Sequence, residues 1–103
     1  MVKVSVMYPN GEGHTFDMTY YCQKHEPMVL ETLGTAVKGH GLEEGIGGAE
    51  PGSPAPYLAV SYLIFDSVAA FQGAFGPHAA AILADVPNYT NTQPTVLVSG
   101  IRI

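Results

Sequence analysis

The stretch that most constrains the fold is YLAVSYLIF, residues 57–65, which is apolar at almost every position. Its length and its aromatic and β-branched content predict a β-strand. A strand with one face in water alternates apolar and polar residues, but here both alternating sets are apolar. One set contains Leu58, Val60, Tyr62 and Ile64, and the other contains Tyr57, Ala59, Leu63 and Phe65. We therefore expect this strand to be covered on both faces.

Three other segments have the pattern of strands. VKVSVMY, residues 2–8, alternates valines with Lys3, Ser5 and Met7. A weaker, glycine-rich strand is predicted over residues 36–48, and a loop over residues 49–56 separates it from the apolar strand. The last ten residues, 94–103, are predicted to form a closing strand.

Two helical regions lie between these strands. Asp17 is predicted to cap the first helix, which then runs to the terminating Gly34. Asp66 is predicted to cap the second helix, and Pro77 suits the first turn of a further short helix over residues 78–86. The side chains expected to point inward from the second helix are Val68, Phe71 and Phe75.

The resulting order, β-α-β-β-α-β, predicts an α+β protein with the ferredoxin-like arrangement. Such a fold has an antiparallel sheet with its helices on one face. The chain then has nothing left to cover the other face of strand 57–65. We therefore infer a homodimer formed by sheet-to-sheet packing, and the low charged content of 13% agrees with a partly covered surface.

Charge and composition exclude several classes of partner. Nine acidic residues oppose four basic ones, which are scattered along the chain, so neither nucleic acid nor an anionic membrane surface is an expected partner. No apolar run is long enough to span a bilayer, and the first residues do not resemble a signal peptide. With Cys22 as the single cysteine, no intramolecular disulfide can form, so we expect a cytoplasmic protein.

The segment YYCQKHEPMV places a histidine beside a proline within the first helix. Pro27 lacks an N–H and should push Glu26 out of the helical region, so the helix is predicted to kink or restart there. His25 would then lie at a helix end, which favours its protonated form. Two interpretations remain open: a proton-transferring group in a pocket, or a core histidine that satisfies the freed carbonyls.

Other residues could join His25 in such a pocket. Tyr21 lies one turn earlier on the same apolar stripe and could orient the ring or a substrate. His78 opens a short helix, where the helix dipole disfavours a positive charge. The predicted catalytic residues are His25, His78 and Tyr21. The predicted substrate-binding residues are Tyr62, Cys22 and Phe71, although a tyrosine or thiol on an apolar stripe is more often core.

Three segments together resemble the EthD family of the dimeric α/β-barrel superfamily. They are VKVSVMYPN at the start, FDMTYYCQKHEPMV around the first helix and ADVPNYTNTQPTVLVSGIRI at the end. The resemblance implies one ferredoxin-like domain over residues 1–103 and a homodimer whose two sheets form a barrel. The superfamily includes lactone isomerases, polyketide cyclases, cofactor-free monooxygenases and haem-degrading enzymes, so the fold alone does not select a reaction.

The function that best fits these residues is a small enzyme without a cofactor or metal, acting by proton transfer. Its ligand would be a small, mostly apolar compound that bears a carbonyl group or derives from an aromatic compound. An isomerase, cyclase or dehydratase in the catabolism of organic compounds would fit. The alternatives are a non-catalytic ligand-binding or accessory protein of a degradation pathway and, less favoured, a haem-binding protein.

Overall fold

A computed structural model describes all of residues 1–103 and contains one four-stranded sheet. The strands are β1 (Val2–Pro9), β2 (Gly39–Glu44), β3 (Tyr57–Phe65) and β4 (Thr95–Gly100). Their spatial order is β2-β3-β1-β4, and every neighbouring pair is antiparallel. This is the ferredoxin-like α+β arrangement predicted from the sequence. The first and third strands match their predicted ranges closely, whereas β2 and β4 are shorter than predicted.

The first helical region runs without a break from Met18 to Leu33 in three parts. These are α1 (Met18–Tyr20), a π turn (Tyr21–His25) and α2 (Glu26–Leu33). The side chain of Asp17 accepts a hydrogen bond of 2.9 Å from the Tyr20 N–H, so the predicted N-cap is confirmed. Gly34 ends the helix with a φ of 62°, a conformation that glycine adopts without a steric penalty.

The predicted break at Pro27 is replaced by the π turn. Glu26 stays helical, with φ −59° and ψ −48°, and its N–H bonds to the Tyr21 carbonyl five residues earlier. Pro27 therefore lies in the first turn of α2. A backbone N–H at this position has no carbonyl partner within its helix, so the N–H that proline lacks is not needed there. The expectation that Glu26 leaves the helical region is therefore wrong. His25 lies inside a continuous helical region, so its predicted position at a helix end is also wrong.

The second helical region consists of α3 (Val68–Phe75) and α4 (Ala79–Ala84), joined by a 3₁₀ turn (Gly76–His78). Ser67, and not the predicted Asp66, caps α3 by accepting a 3.0 Å hydrogen bond from the Ala70 N–H. The Asp66 carboxylate instead lies 4.0 Å from the Lys38 ammonium group. Val68 is 43% exposed, so its predicted inward position is also wrong. Phe71 and Phe75, as predicted, pack against the core with Ala70 and Ala74.

All the helices pack on one face of the sheet, which we call the inner face. Two groups of buried side chains join helices and sheet there. One group is Val4, Val29, Leu33, Phe65 and Ile82, and the other is Tyr8, Tyr21, Ala59 and Tyr89. No helix in this chain is long and apolar enough to cross a membrane.

The opposite, outer face has no cover within the chain. Its apolar side chains are half-buried or exposed, and they include Met7, Leu58, Val60, Tyr62, Ile64 and Leu97. The Tyr62 ring lies against β2, where a Cβ on Gly41 would approach it to 2.6 Å. The Lys3 ammonium group lies 5.1 Å from the centroid of the same ring.

The contrast between Phe65 and Val68 gives a test of this packing. Phe65 is fully buried, so Phe65→Ala should lower the free energy of unfolding by about 3–5 kcal/mol. Val68→Ala removes a side chain that is 43% exposed, so it should change this free energy by at most about 0.5 kcal/mol. Urea denaturation at one fixed protein concentration measures both effects. Equal effects of the two substitutions would contradict the packing described.

Candidate functional site

A cavity of about 240 Å³ lies between the inner face of the sheet and the helices. Its walls are mostly apolar and include Val4, Val29, Phe71, Phe75 and Ile82. Leu83 of α4 and Val96 of β4 also line it and are 57% and 58% exposed, so the cavity opens between these two elements. A mostly apolar cavity with a few polar groups is the usual form of a small-molecule site.

The polar end of the cavity is a cluster of aromatic rings around His25. The centroid of the His25 ring lies 4.9 Å from that of Tyr21 and 4.7 Å from that of Tyr89. The Tyr89 and Tyr8 hydroxyls are hydrogen-bonded to each other at 2.8 Å. All four residues line the cavity, and the chain places them there from β1, the first helical region and the turn after α4.

His25 is held by an ion-pair partner rather than by backbone carbonyls. Its Nδ1 lies 2.9 Å from Oδ2 of Asp85, which follows α4 directly. The other carboxylate oxygen, Oδ1, accepts bonds from the Tyr20 hydroxyl at 2.7 Å and the Asn88 amide at 2.9 Å. Asp85 is thus bound by two residues of the first helical region and by Asn88 of the turn after α4.

This arrangement fixes the roles of the two ring nitrogens of His25. Burial raises the pKa of Asp85, but the hydrogen bonds from Asn88, Tyr20 and His25 outweigh it and hold the pKa below its usual range. Asp85 is therefore a carboxylate at neutral pH, and Nδ1–H of His25 donates to it. Nε2 has no protein partner, yet no buried polar side-chain atom is left unpaired, so Nε2 is reached from the cavity.

The tyrosines of the site are hydrogen-bond donors at neutral pH. Burial raises the pKa of Tyr21 far above its usual value, and the nearby Glu26 charge raises it further. Burial likewise raises the pKa of Tyr89, and the hydrogen bond with Tyr8 adds to the effect. A ligand oxygen in the cavity would therefore meet protonated hydroxyl groups.

The cavity brings together some of the predicted site residues and not others. Tyr21, His25 and Phe71 line it. Tyr62 borders it too, but its ring packs on the outer face with Lys3, as the pairing of Tyr62 with Ser5 requires.

His78 and Cys22 lie outside this cavity. His78 ends the 3₁₀ turn with its side chain exposed, so the expectation that it shares the cavity with His25 is wrong. Cys22 is exposed, not buried on an apolar stripe.

Sequence reasoning missed Asp85 and Tyr89 as parts of the site. Both lie in the ADVPNYTNTQ run, which was used only as a family resemblance. Asp85 is 60 residues from His25 along the chain, so no local spacing connects them. An acidic residue at the end of the short apolar helix was the one available signal.

Together the sheet topology and the helices define a ferredoxin-like α+β protein with a cavity of about 240 Å³ between its helices and its sheet. The EthD domain family model matches residues 10–93, and the chain belongs to the EthD family. This confirms the resemblance seen in the sequence.

Two solved structures are especially similar. An EthD-like protein from Ralstonia eutropha JMP134 is 40% identical, with a TM-score of 0.94 over 99% of this chain and 92% of that chain. An EthD family protein from Bacillus halodurans C-125 is 17% identical, with a TM-score of 0.74 over 99% of both chains, and shows the fold alone.

A third structure is described as a dimeric ferredoxin-like protein of unknown function, from Thermobifida fusca YX. It is 12% identical, with a TM-score of 0.53 over 97% of this chain and 89% of that chain. No curated protein matches this chain.

The depressed pKa of Asp85 predicts how stability depends on pH. A carboxyl group whose pKa is lowered by folding stabilises the protein above its unfolded pKa of about 3.9, and this contribution is lost as pH falls through the folded pKa. Asp85→Asn should therefore lower the free energy of unfolding at pH 7 by about 1–3 kcal/mol. The difference from the unsubstituted protein should shrink below about pH 4.

Denaturation curves from pH 7 to pH 3 test this dependence. Asp66→Asn is the matched control. The Asp66 side chain is 66% exposed, and its one ionic partner, the Lys38 ammonium group, is as far away as 4.0 Å, so its charge should contribute little. A pH-independent effect of Asp85→Asn would show that the Asp85 charge is not what stabilises the site.

Proposed function

We propose that this EthD family protein is a small enzyme without a tightly bound cofactor that transfers protons on a small carbonyl compound. His25 is the acid/base, and Tyr21 is the hydroxyl donor to the carbonyl oxygen. The observation that carries the proposal is the orientation of His25, whose Nδ1 is held by Asp85 at 2.9 Å while Nε2 is open to the cavity. We also propose that residues 1–103 form a single domain.

The paired carboxylate gives His25 what a general base requires. When Nε2 accepts a proton, the ring becomes an imidazolium in a site where the side chain is only 5% exposed. The carboxylate of Asp85 faces Nδ1 of that ring and holds it in the orientation that leaves Nε2 towards the cavity. Tyr20 and Asn88 in turn hold the carboxylate in place.

The chemistry needs no redox partner. Nε2 removes a proton from the carbon next to the carbonyl, and the C–H electron pair forms a C=C bond as the carbonyl π electrons move to oxygen. The enolate oxygen accepts a hydrogen bond from the Tyr21 hydroxyl, and return of the proton to carbon completes the transfer. The small, apolar cavity favours a ligand of one or two rings over a polar or extended one.

Hydrogen exchange of a generic ketone tests this proposal without knowledge of the natural substrate. 2-Tetralone is a bicyclic ketone, and NMR in D₂O follows the loss of its α-protons. The protein should accelerate this exchange, and His25→Gln should reduce the enzymatic rate by about 10²–10⁴-fold. His14→Gln is the control, because that side chain is exposed in the turn after β1 and bonds only to the Pro9 carbonyl.

Other outcomes of this assay are equally informative. Exchange at the same rate with and without His25 would overturn its role as the acid/base. Binding of 2-tetralone with no acceleration of exchange would favour the alternative function, a non-catalytic ligand-binding protein that uses the same cavity.

We also propose that a second copy of the chain covers the outer face of the sheet. Its apolar side chains have no partner within the chain, and the dimeric ferredoxin-like protein from Thermobifida fusca supports this kind of assembly. The single cysteine, Cys22, is exposed and has no disulfide partner, which suits a reducing compartment, and we place the protein in the cytoplasm.

A charge on the outer face should separate the two copies. Leu97 lies on that face and is 51% exposed in one chain, so Leu97→Asp should leave the monomer folded while placing a charge in the interface. Sedimentation velocity should then change from a dimer to a folded monomer, with the fold checked by circular dichroism. Ile46→Asp is the matched control, because Ile46 is 95% exposed in a loop outside the sheet. A monomeric unsubstituted protein would contradict this proposal.

A further inference from the structure

We propose that Glu26, positioned by His40, is a specificity-determining residue of the cavity that accepts a hydrogen bond from a ligand hydroxyl and rejects anionic ligands. This inference rests on the proposed function, since it requires that the cavity binds a small molecule. It adds the class of ligand: a neutral, mostly apolar compound that carries a hydroxyl group as well as its carbonyl.

The π turn is the reason that Glu26 reaches the cavity. In an α-helix of about 3.6 residues per turn, a residue five positions after Tyr21 would point about 140° away from it around the axis. A π turn holds more residues per turn, so the positions four and five residues after Tyr21 both return to its side. His25 and Glu26 therefore lie on either side of Tyr21, and all three residues line the cavity.

The carboxylate of Glu26 is held by His40 on the side away from the cavity. Oε1 lies 3.1 Å from Nδ1 of His40, which extends from β2. The Glu26 side chain is 14% exposed, whereas that of His40 is 47% exposed, so the histidine approaches from the solvent side. The Tyr21 hydroxyl also donates towards the carboxylate, and this hydrogen bond contributes to the raised pKa of Tyr21. A carboxylate has about four acceptor positions, so Glu26 keeps acceptor capacity for a ligand hydroxyl.

The carboxylate also lies close enough to the site hydroxyls to act on them. Its charge raises the pKa of both Tyr21 and Tyr8, in each case after the larger effect of burial. Glu26 therefore belongs electrostatically to the polar end of the cavity, with Tyr21 between it and His25.

The charges around the cavity determine which ligands fit. Glu26 lines it and Asp85 lies directly behind His25, but no lysine or arginine is among the lining residues. An anionic ligand would meet like charge with no fixed cation to compensate its loss of hydration. A neutral hydroxyl, in contrast, would donate to a remaining acceptor position of the Glu26 carboxylate in a charge-assisted hydrogen bond.

A matched pair of fluorescent probes tests this discrimination at pH 7. 2-Naphthol and 2-naphthoate have the same two rings, but the first carries a neutral hydroxyl donor and the second an anionic carboxylate. The unsubstituted protein should bind 2-naphthol more tightly. E26Q removes the charge at constant size and should reduce the ratio of the two affinities by about tenfold or more, by weakening 2-naphthol and strengthening 2-naphthoate.

The controls separate a local effect from a change of net charge or fold. E31Q removes an equal charge from an exposed position of α2 and should leave the ratio unchanged. His40→Gln retains a hydrogen-bond donor and should preserve most of the discrimination, whereas His40→Ala should lose part of it. If His40 only supported the fold, both substitutions would leave the ratio of the two affinities unchanged.

The outcomes distinguish this inference from the proposed function. An unchanged ratio in E26Q, or a preference of the unsubstituted protein for 2-naphthoate, would overturn the role of Glu26. The acceleration of 2-tetralone exchange and its loss in His25→Gln would then still support the proposed function. Absence of binding of both probes together with absence of exchange would overturn both proposals.

Discussion

The carboxylate of Asp85 is the interaction on which the candidate site depends. It binds Tyr20 and His25 of the first helical region and Asn88 of the turn after α4, at distances of 2.7–2.9 Å. The carboxylate thereby joins the first helical region to the end of α4, whereas the cavity opens on the other side of α4, towards β4. The same carboxylate leaves His25 with one protonated nitrogen directed away from the cavity and one free nitrogen directed into it. The Asp85 side chain therefore both joins helical segments and sets the orientation of the His25 ring.

The π turn depends on a second constraint, the proline that follows it. Pro27 has no N–H, so a regular α-helix through residues 21–30 would leave a carbonyl without its partner. In the observed helix the N–H of Glu26 bonds to the Tyr21 carbonyl five residues earlier, α2 begins at Glu26, and Pro27 falls in its first turn. The extra residue in this turn is what carries both His25 and Glu26 to the side of Tyr21. A sequence feature that predicts a broken helix thus produces a continuous helix with three polar side chains at the cavity.

The parts of the fold that sequence reasoning predicted well are those set by neighbouring residues. The two-sided apolar pattern defined β3, and Asp17 and Gly34 marked the ends of the first helical region. Errors arose where two local choices were equivalent, as with the caps Asp66 and Ser67, and where a residue beside the apolar stripe was counted as part of it, as for Cys22. Contacts between residues far apart in the chain could not be predicted from local patterns. An error of one residue in the position of a side chain already places it on a different face of its helix or strand. His25 was identified from its local pattern, but its partner Asp85 was not.

The two faces of the sheet separate assembly from chemistry. Tyr62 illustrates this, because its ring and Lys3 lie on the outer face while the neighbouring Ser61 lines the cavity on the inner face. Side chains alternate between faces along β3, so each position can serve only one of the two purposes. A second copy packed against the outer face would stabilise the strands that carry the cavity wall without covering Leu83 and Val96, where the cavity opens. The apolar character of both faces of β3 therefore agrees with the two proposals made above, a partner chain on the outer face and a ligand on the inner face.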